Sequence, residues 1–349
     1  MNIKFLASIL LLMSLLACQS HSGDGVEFDI PAKTGFRVWD IADPMVKGHI
    51  QGQVWYPVSA ETQAIPAPLG YFRRSDQALE APVADAGKKY PLVLIDDGRN
   101  FGPDAMAWLA EVLVANGYIV GSVRSEQSSD SANQLNYWNQ PVEVKALLTS
   151  LLASELGSFI DQKKIGFIGY SGGALTGLWL AGAKSQSLEP EKLVPGKEEA
   201  NQEAYGNIGK LLPTVDIAGW RASYRDPRIA TFVLLAPSWT WVFDEQDLKN
   251  ITSRIFIITG DDDENVSAAQ NAIRLAQWIP GAAFKELQGH VGHWEFMGFW
   301  TREGVTALRS KLPEGALPSV PSEHRRRFVH DEVTGLTVEF LNRNLQAKS

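Results

Sequence analysis

Ile165-Gly166-Phe167-Ile168-Gly169-Tyr170-Ser171-Gly172-Gly173-Ala174-Leu175-Thr176-Gly177-Leu178-Trp179-Leu180-Ala181 is the most informative run in the chain. Ile165 to Gly169 is short, apolar and rich in β-formers, as expected of a strand buried on both faces. Gly173 to Ala183 continues with small and apolar residues, as expected of a closely packed helix. Between them Gly169-Tyr170-Ser171-Gly172-Gly173 matches G-x-S-x-G. A strand that runs straight into a serine, with a helix leaving straight after it, makes a sharp turn that raises the hydroxyl at the edge of the sheet. Small residues two before and two after the serine let neighbouring backbone pass without collision. The Gly172 N–H then lies at a helix N-terminus, where donors lack intrahelical partners and the dipole favours negative charge. The run predicts Ser171 as a nucleophile and Gly172 as a backbone donor to the charge that develops during its attack.

The same alternation extends in both directions. Upstream, Gln51 to Tyr56 reads as a strand stopped by Pro57, Pro91 to Ile95 as a buried strand, Asp104 to Asn116 as a helix ended by Gly117, Tyr118 to Val123 as a strand, and Pro141 to Leu156 as an amphipathic helix. Ala60 to Gly87, rich in Pro, Ala and charge, reads as a surface excursion with at most a short helix. Downstream, Ile229 to Ala236, Arg254 to Thr259 and Ala283 to Leu287 read as strands, Ala268 to Trp278 as a helix, and Arg325 to Leu345 as a closing amphipathic helix. Lys184 to Arg228 interrupts the pattern with polar residues, charge and Pro, and reads as an insertion over one end of the sheet, a candidate lid. Strands alternating with helices imply an α/β protein: a mostly parallel central sheet with helices on both faces. In such sheets function sits at the carboxyl ends of the strands.

A serine hydroxyl needs a base to take its proton and an acid to orient that base. Behind a serine turn of this kind both follow later in the chain. The strand Arg254 to Thr259 runs into Gly260-Asp261-Asp262-Asp263-Glu264-Asn265-Val266, which offers Asp261, Asp262 and Asp263 as acids. Of the six histidines, His21 and His49 precede Ser171, and His324 and His330 fall in the terminal helical region, where they look like surface positions. Gly289-His290-Val291-Gly292-His293-Trp294-Glu295-Phe296-Met297 follows the last strand; His293 is preferred as the base, with His290 as the alternative. The H-x-x-H spacing could suit a metal, but no cysteine or obvious third ligand accompanies it. After Pro91 to Ile95 comes Asp96-Asp97-Gly98-Arg99-Asn100-Phe101-Gly102, where the backbone N–H of Arg99, or of Asn100, is the candidate second donor. Two acids there are unexpected beside a site that stabilises negative charge. Their side chains must point away or be neutralised, with Arg99 a candidate for that task.

With these residues identified, the chain resembles the dienelactone-hydrolase-like proteins related to platelet-activating-factor acetylhydrolase, within the α/β-hydrolase fold. The resemblance runs from about Gly35 to Leu345. It is carried by Val54-Trp55-Tyr56-Pro57, the Ile165 to Gly173 turn, Arg225-Asp226-Pro227-Arg228-Ile229, Leu235-Ala236-Pro237, Gly260 to Val266 and Gly292 to Met297, in that order. It implies hydrolysis of carboxylic esters, with short acyl groups, through an acyl-enzyme and without a metal or organic cofactor. Hydrolases of this fold typically show G-x-x-D followed by two residues and a Val or Pro. That frame selects Asp263 among the three acids. The chain departs from the family pattern in two places: Asp97-Gly98 stands where relatives often carry His-Gly, and Ser171 stands where true dienelactone hydrolases carry Cys. A peptidase or amidase on the same fold, and a catalytically silent envelope-binding protein, are the competing readings.

The first residues predict where the chain works. Met1 to Lys4 carries a positive charge and Phe5 to Leu16 is almost wholly apolar. That run is too short to cross the roughly 30 Å of a bilayer's hydrocarbon as a helix, and it fits a signal peptide. Leu15-Leu16-Ala17-Cys18 resembles the bacterial lipobox. The resemblance implies cleavage after Ala17, lipid on Cys18 and, with Gln19 next, an outer-membrane address. The expected organisation is therefore a signal peptide over 1–17, a tether over 18–34 and one catalytic domain over 35–349, containing the 184–228 insertion. Cys18 is the only cysteine, so no disulfide framework and no thiol nucleophile is available to the domain. A formal charge of −8, from 32 basic and 40 acidic residues, gives no electrostatic attraction to nucleic acid. The expected partners are a small ester and a membrane reached through the lipid anchor.

Overall fold

Apolar β-rich runs become the strands of one nine-stranded mixed sheet in the computed structural model, which describes residues 33–41, 50–68, 70–98, 102–124, 135–200, 208–311 and 322–346. The strands are β1 (Lys33–Ile41), β2 (Ile50–Tyr56), β3 (Asp76–Leu79), β4 (Tyr90–Asp96), β5 (Ile119–Arg124), β6 (Ile160–Tyr170), β7 (Thr231–Leu235), β8 (Arg254–Gly260) and β9 (Ala283–Leu287). Their spatial order is β3-β1-β2-β5-β4-β6-β7-β8-β9. From β5 across to β9 every pairing is parallel, whereas β2 runs antiparallel to both β1 and β5. This is the mostly parallel α/β architecture expected from the alternation.

The helices are α1 (Ala107–Ala115), α2 (Asn139–Ala153), α3 (Gly172–Ala181), α4 (Ile217–Arg221), α5 (Glu245–Leu248), α6 (Arg274–Trp278), α7 (Arg302–Lys311) and α8 (Glu323–Leu341). Two cores, one on each face of the sheet, explain why the central strands are apolar without alternation. Leu92, Leu94, Phe167 and Leu234 join the core under α2 and α3. Their neighbours Val93, Ile95, Ile168 and Val233 join the core under α1 and α8. Successive strand side chains point to opposite faces, so a central strand must be apolar at every position.

Several expectations need correction. Ala60 to Gly87 contains a strand, β3, which pairs in parallel with β1. The sheet begins at Lys33, inside the stretch read as tether. The helix read over Asp104 to Asn116 opens as a 3-10 turn, Pro103–Met106, and becomes α-helical only at Ala107. That read over Ala268 to Trp278 opens with a π turn, Ala269–Ile273. His330 is not a surface residue: it is 6% exposed, with its ring stacked on Trp108 at 3.6 Å between centroids. The described part of the 184–228 insertion consists of short turns and α4; its Trp220 is buried edge-on against Trp179 of α3. The stretch 1–32, with Cys18, lies outside the described residues. Among those described, no helix is long and apolar enough to cross a membrane.

Candidate active site

Ser171 is the single residue between β6 and α3, and its backbone sits at φ 53°, ψ −118°. A non-glycine residue at positive φ is costly and has to be held in place by its surroundings. Here the Ser171 N–H donates to the Leu235 carbonyl at 2.9 Å, and its own carbonyl accepts from Ser238 N–H at 3.1 Å. The turn is possible only because it is lined with glycine. A Cβ on Gly169 would lie 2.1 Å from the Gly173 carbonyl oxygen, and one on Gly173 would lie 2.1 Å from that of Asp96. Strand order therefore places the hydroxyl at the carboxyl end of a central strand.

The other two predicted residues arrive from the loops after β8 and β9. His293 Nε2 is 2.9 Å from Ser171 Oγ. His293 Nδ1 is 2.7 Å from Asp263 Oδ2. The second carboxylate oxygen of Asp263 accepts from the N–H groups of Asn265 and Val266, both at 3.0 Å. The acid is thus held by its own loop, the ring by the acid, and the hydroxyl by the ring. The Asp263 side chain is fully buried and that of His293 nearly so, while Ser171 is half-buried. Asp261 serves the loop instead: its carboxylate accepts from the N–H groups of Gly289, His290 and Val291. Asp262 faces His290 at 3.3 Å on the exposed surface.

Burial alone would push the His293 pKa down, but the Asp263 carboxylate outweighs it, and Glu264 and Glu295 add to the effect. The net direction is upward from the ordinary imidazole value of about 6.5. With Nδ1 facing a carboxylate, the neutral ring carries its proton on Nδ1 and leaves Nε2 free to accept from the serine.

The Gly172 N–H opens α3, and the first N–H groups of a helix have no intrahelical acceptor. Gly98, at φ 79°, passes close beside it: a Cβ there would come within 2.7 Å of the Tyr170 carbonyl oxygen and 3.0 Å of Gly172 N. Arg99 and Asn100, the candidates for a second donor, lie outside the described residues. Asp96 and Asp97 do not point into solvent; both are buried. Burial raises the Asp96 pKa to about 6, against a hydrogen bond from Gly98 N–H that favours its charge. Burial, then repulsion from Asp96, raises that of Asp97 well above the carboxylate range. The two acids are thus driven toward the neutral form, which limits the negative charge beside the turn.

Sequence reasoning missed the residues that hold the histidine loop. Tyr170, inside the pentapeptide, donates its hydroxyl to the His293 carbonyl at 2.9 Å. Arg326 of α8, 1% exposed, donates through Nη1 to the carbonyls of Trp294, Met297 and Gly298. His330, one turn further along, donates from Nε2 to the Met297 carbonyl at 2.9 Å. The available signal was helical spacing: Arg326 and His330 are four apart and lie with the buried Val329 and Val333. Among the described residues no cluster of three His, Cys, Asp or Glu side chains is placed to hold a metal ion. In comparisons with known proteins, no family model matches the chain and no curated protein matches it.

Proposed function

We propose that this protein is a serine hydrolase of the α/β-hydrolase fold that cleaves carboxylic esters through Ser171, His293 and Asp263. The observation that carries the reading is the continuous contact from Ser171 Oγ to His293 Nε2 and from His293 Nδ1 to Asp263, at 2.9 and 2.7 Å. Its members follow the chain order serine, acid, histidine that belongs to this fold.

The chemistry proceeds in two halves. Ser171 Oγ attacks the ester carbonyl carbon while Nε2 of His293 takes the hydroxyl proton. The carbonyl π-electrons move to oxygen, where the Gly172 N–H, with the proposed Arg99 N–H, stabilises the oxyanion. The intermediate collapses, the bond to the alcohol oxygen breaks, and His293 returns the proton to the leaving alcohol. Water then attacks the acyl-serine with His293 again as base, and the acid product leaves as Ser171 recovers its proton. Asp263 orients the ring and stabilises its charged form, and takes no proton from it.

Short acyl groups fit this reading best. The chain beside the nucleophile is bulky: Trp239 and Trp241, both buried, follow closely on Ser238, whose backbone N–H donates to the Ser171 carbonyl. The described insertion holds only short turns and α4, whereas docking on an oil surface calls for a long apolar helix face. The experiment is a p-nitrophenyl ester series from acetate to palmitate, read for wild type and Ser171→Ala. A Ser171-dependent kcat/KM highest among the shortest esters supports the proposal. Equal activity in the variant removes the nucleophile, and a maximum at palmitate removes the short-chain reading. We further propose the envelope address implied by Cys18. Wild type should partition with membranes and Cys18→Ala should not; a wholly soluble wild type with unmodified Cys18 contradicts the anchor.

A further inference from the structure

Tyr137 lies two residues before α2, far from Ser171 in the chain, yet its side chain ends at the serine turn. A Cβ built on Gly172 would lie 2.0 Å from the Tyr137 hydroxyl oxygen and 2.7 Å from Cζ. The phenol therefore fills the space in which any other residue's side chain at 172 would begin. The Gly172 nitrogen is two covalent bonds from that same Cβ position. The hydroxyl and the Gly172 N–H are thus close neighbours, arriving from different parts of the fold.

The ring is held by the scaffold that also holds the nucleophile. Tyr137 is 3% exposed and stacks on Trp239 at 5.9 Å between centroids and 24° between planes. Trp239 has a left-handed backbone, φ 64°, and follows Ser238, whose N–H donates to the Ser171 carbonyl. Strained backbone at both Ser171 and Trp239 is thus concentrated in one small region, the pattern expected where geometry serves a site. A phenol keeps its proton at neutral pH and is a hydrogen-bond donor.

We propose that the Tyr137 hydroxyl donates a hydrogen bond to the oxyanion formed at Ser171, beside the Gly172 N–H. Glycine at 172 is then the residue that lets this side-chain donor in. No proton is transferred: the phenol holds its hydrogen throughout, and His293 performs both proton transfers. The inference rests on Ser171 being the nucleophile of an acyl-transfer reaction.

Tyr137→Phe removes the donor and leaves the ring. We expect kcat on p-nitrophenyl acetate to fall about 10²-fold with KM little changed, the usual consequence of losing one oxyanion donor. A trifluoromethyl ketone, which forms an oxyanion adduct with an active serine, should lose affinity by a similar factor, while the melting temperature stays near that of wild type. An unchanged kcat overturns the proposal, as does a raised KM at unchanged kcat, which would make Tyr137 a wall of the acyl pocket. A fall in melting temperature with no selective loss of ketone affinity also overturns it, by assigning a structural role. Ser171→Ala, assayed in parallel, separates the two layers. Full activity in that variant defeats the nucleophile itself, whereas loss of activity there with a fully active Tyr137→Phe defeats the Tyr137 assignment alone.

Discussion

Two histidine–aspartate pairs stand side by side at the carboxyl ends of the same two strands. His290 faces Asp262 at 3.3 Å, with side chains 80% and 65% exposed; His293 faces Asp263 at 2.7 Å, with side chains 8% and 0% exposed. Residue types and loops are the same, so environment makes the difference. Water screens the outer pair, and such exposed contacts contribute little. The inner pair is closed off, its carboxylate fixed by two N–H groups and its imidazole pinned on the serine. His330 completes the comparison as a buried histidine whose charged neighbours are arginines. Burial first, with Arg326 and Arg327 adding, pushes its pKa down to about 3 against the support of the Met297 carbonyl, whereas the pKa of His293 is raised. Burial disfavours the charged ring in both; the acid beside His293 reverses the sign.

The largest effects should come from exchanging members of the two pairs. His293→Ala should lower kcat/KM by at least about 10³-fold, while His290→Ala changes it little. Asp263→Asn should lower kcat by about 10⁴-fold, the effect of losing the acid that orients the base. Asp262→Asn should do almost nothing. The opposite ranking at either position would move the site to the exposed pair.

The next effect is on stability. Between about pH 3 and 6.5 the unfolded chain protonates residue 330 while the native chain does not, so stability falls as pH drops through that window. From pH 7 to pH 5 this should cost about 2 kcal/mol. His293 acts in the opposite sense: its raised pKa adds stability that is fully present below about pH 6.5 and is lost as pH rises through its folded value. Comparing wild type with His330→Gln by urea unfolding at both pH values cancels the His293 contribution. The variant should lose less stability than wild type on acidification; an equal loss would mean that His330 titrates normally.

The smallest effect is a displacement of the pH profile. kcat/KM should rise with pH through an apparent pKa above the ordinary imidazole value of about 6.5. His290→Ala should leave that profile in place. In Asp263→Asn the residual activity should titrate at lower pH than wild type, because burial then acts without the carboxylate. An upward displacement in that variant would contradict the assigned cause.

The central sheet was legible because β4, β6, β7 and β8 are apolar over most of their length, which only burial on both faces requires. Lys33–Ile41 was not read as a strand because polarity and burial do not run together in it: Thr34 is buried, whereas Val38 is exposed and adjoins another apolar residue, Trp39. Asp76–Leu79 escaped because four residues carry too little pattern. Ser171 could be read from its strand–turn–helix context. Picking Asp263 from three acids needed the frame set by Gly260. The aromatic residues after His293 favoured it over His290, and the two differ in burial, 8% against 80% exposed, which only the folded loop displays. Arg326 and Tyr137 illustrate the limit best. Each reaches the site from an element distant in the chain, so its placement exists only once the sheet has formed.

The most direct test of the account is covalent. A fluorophosphonate reacts with a serine only where a neighbouring base activates it. Wild-type protein should take up one equivalent, and peptide mass spectrometry should find the adduct on Ser171, with labelling lost in both Ser171→Ala and His293→Ala. An adduct on another residue, or no adduct on folded wild-type protein, would contradict the assignment of Ser171 as a nucleophile activated by His293.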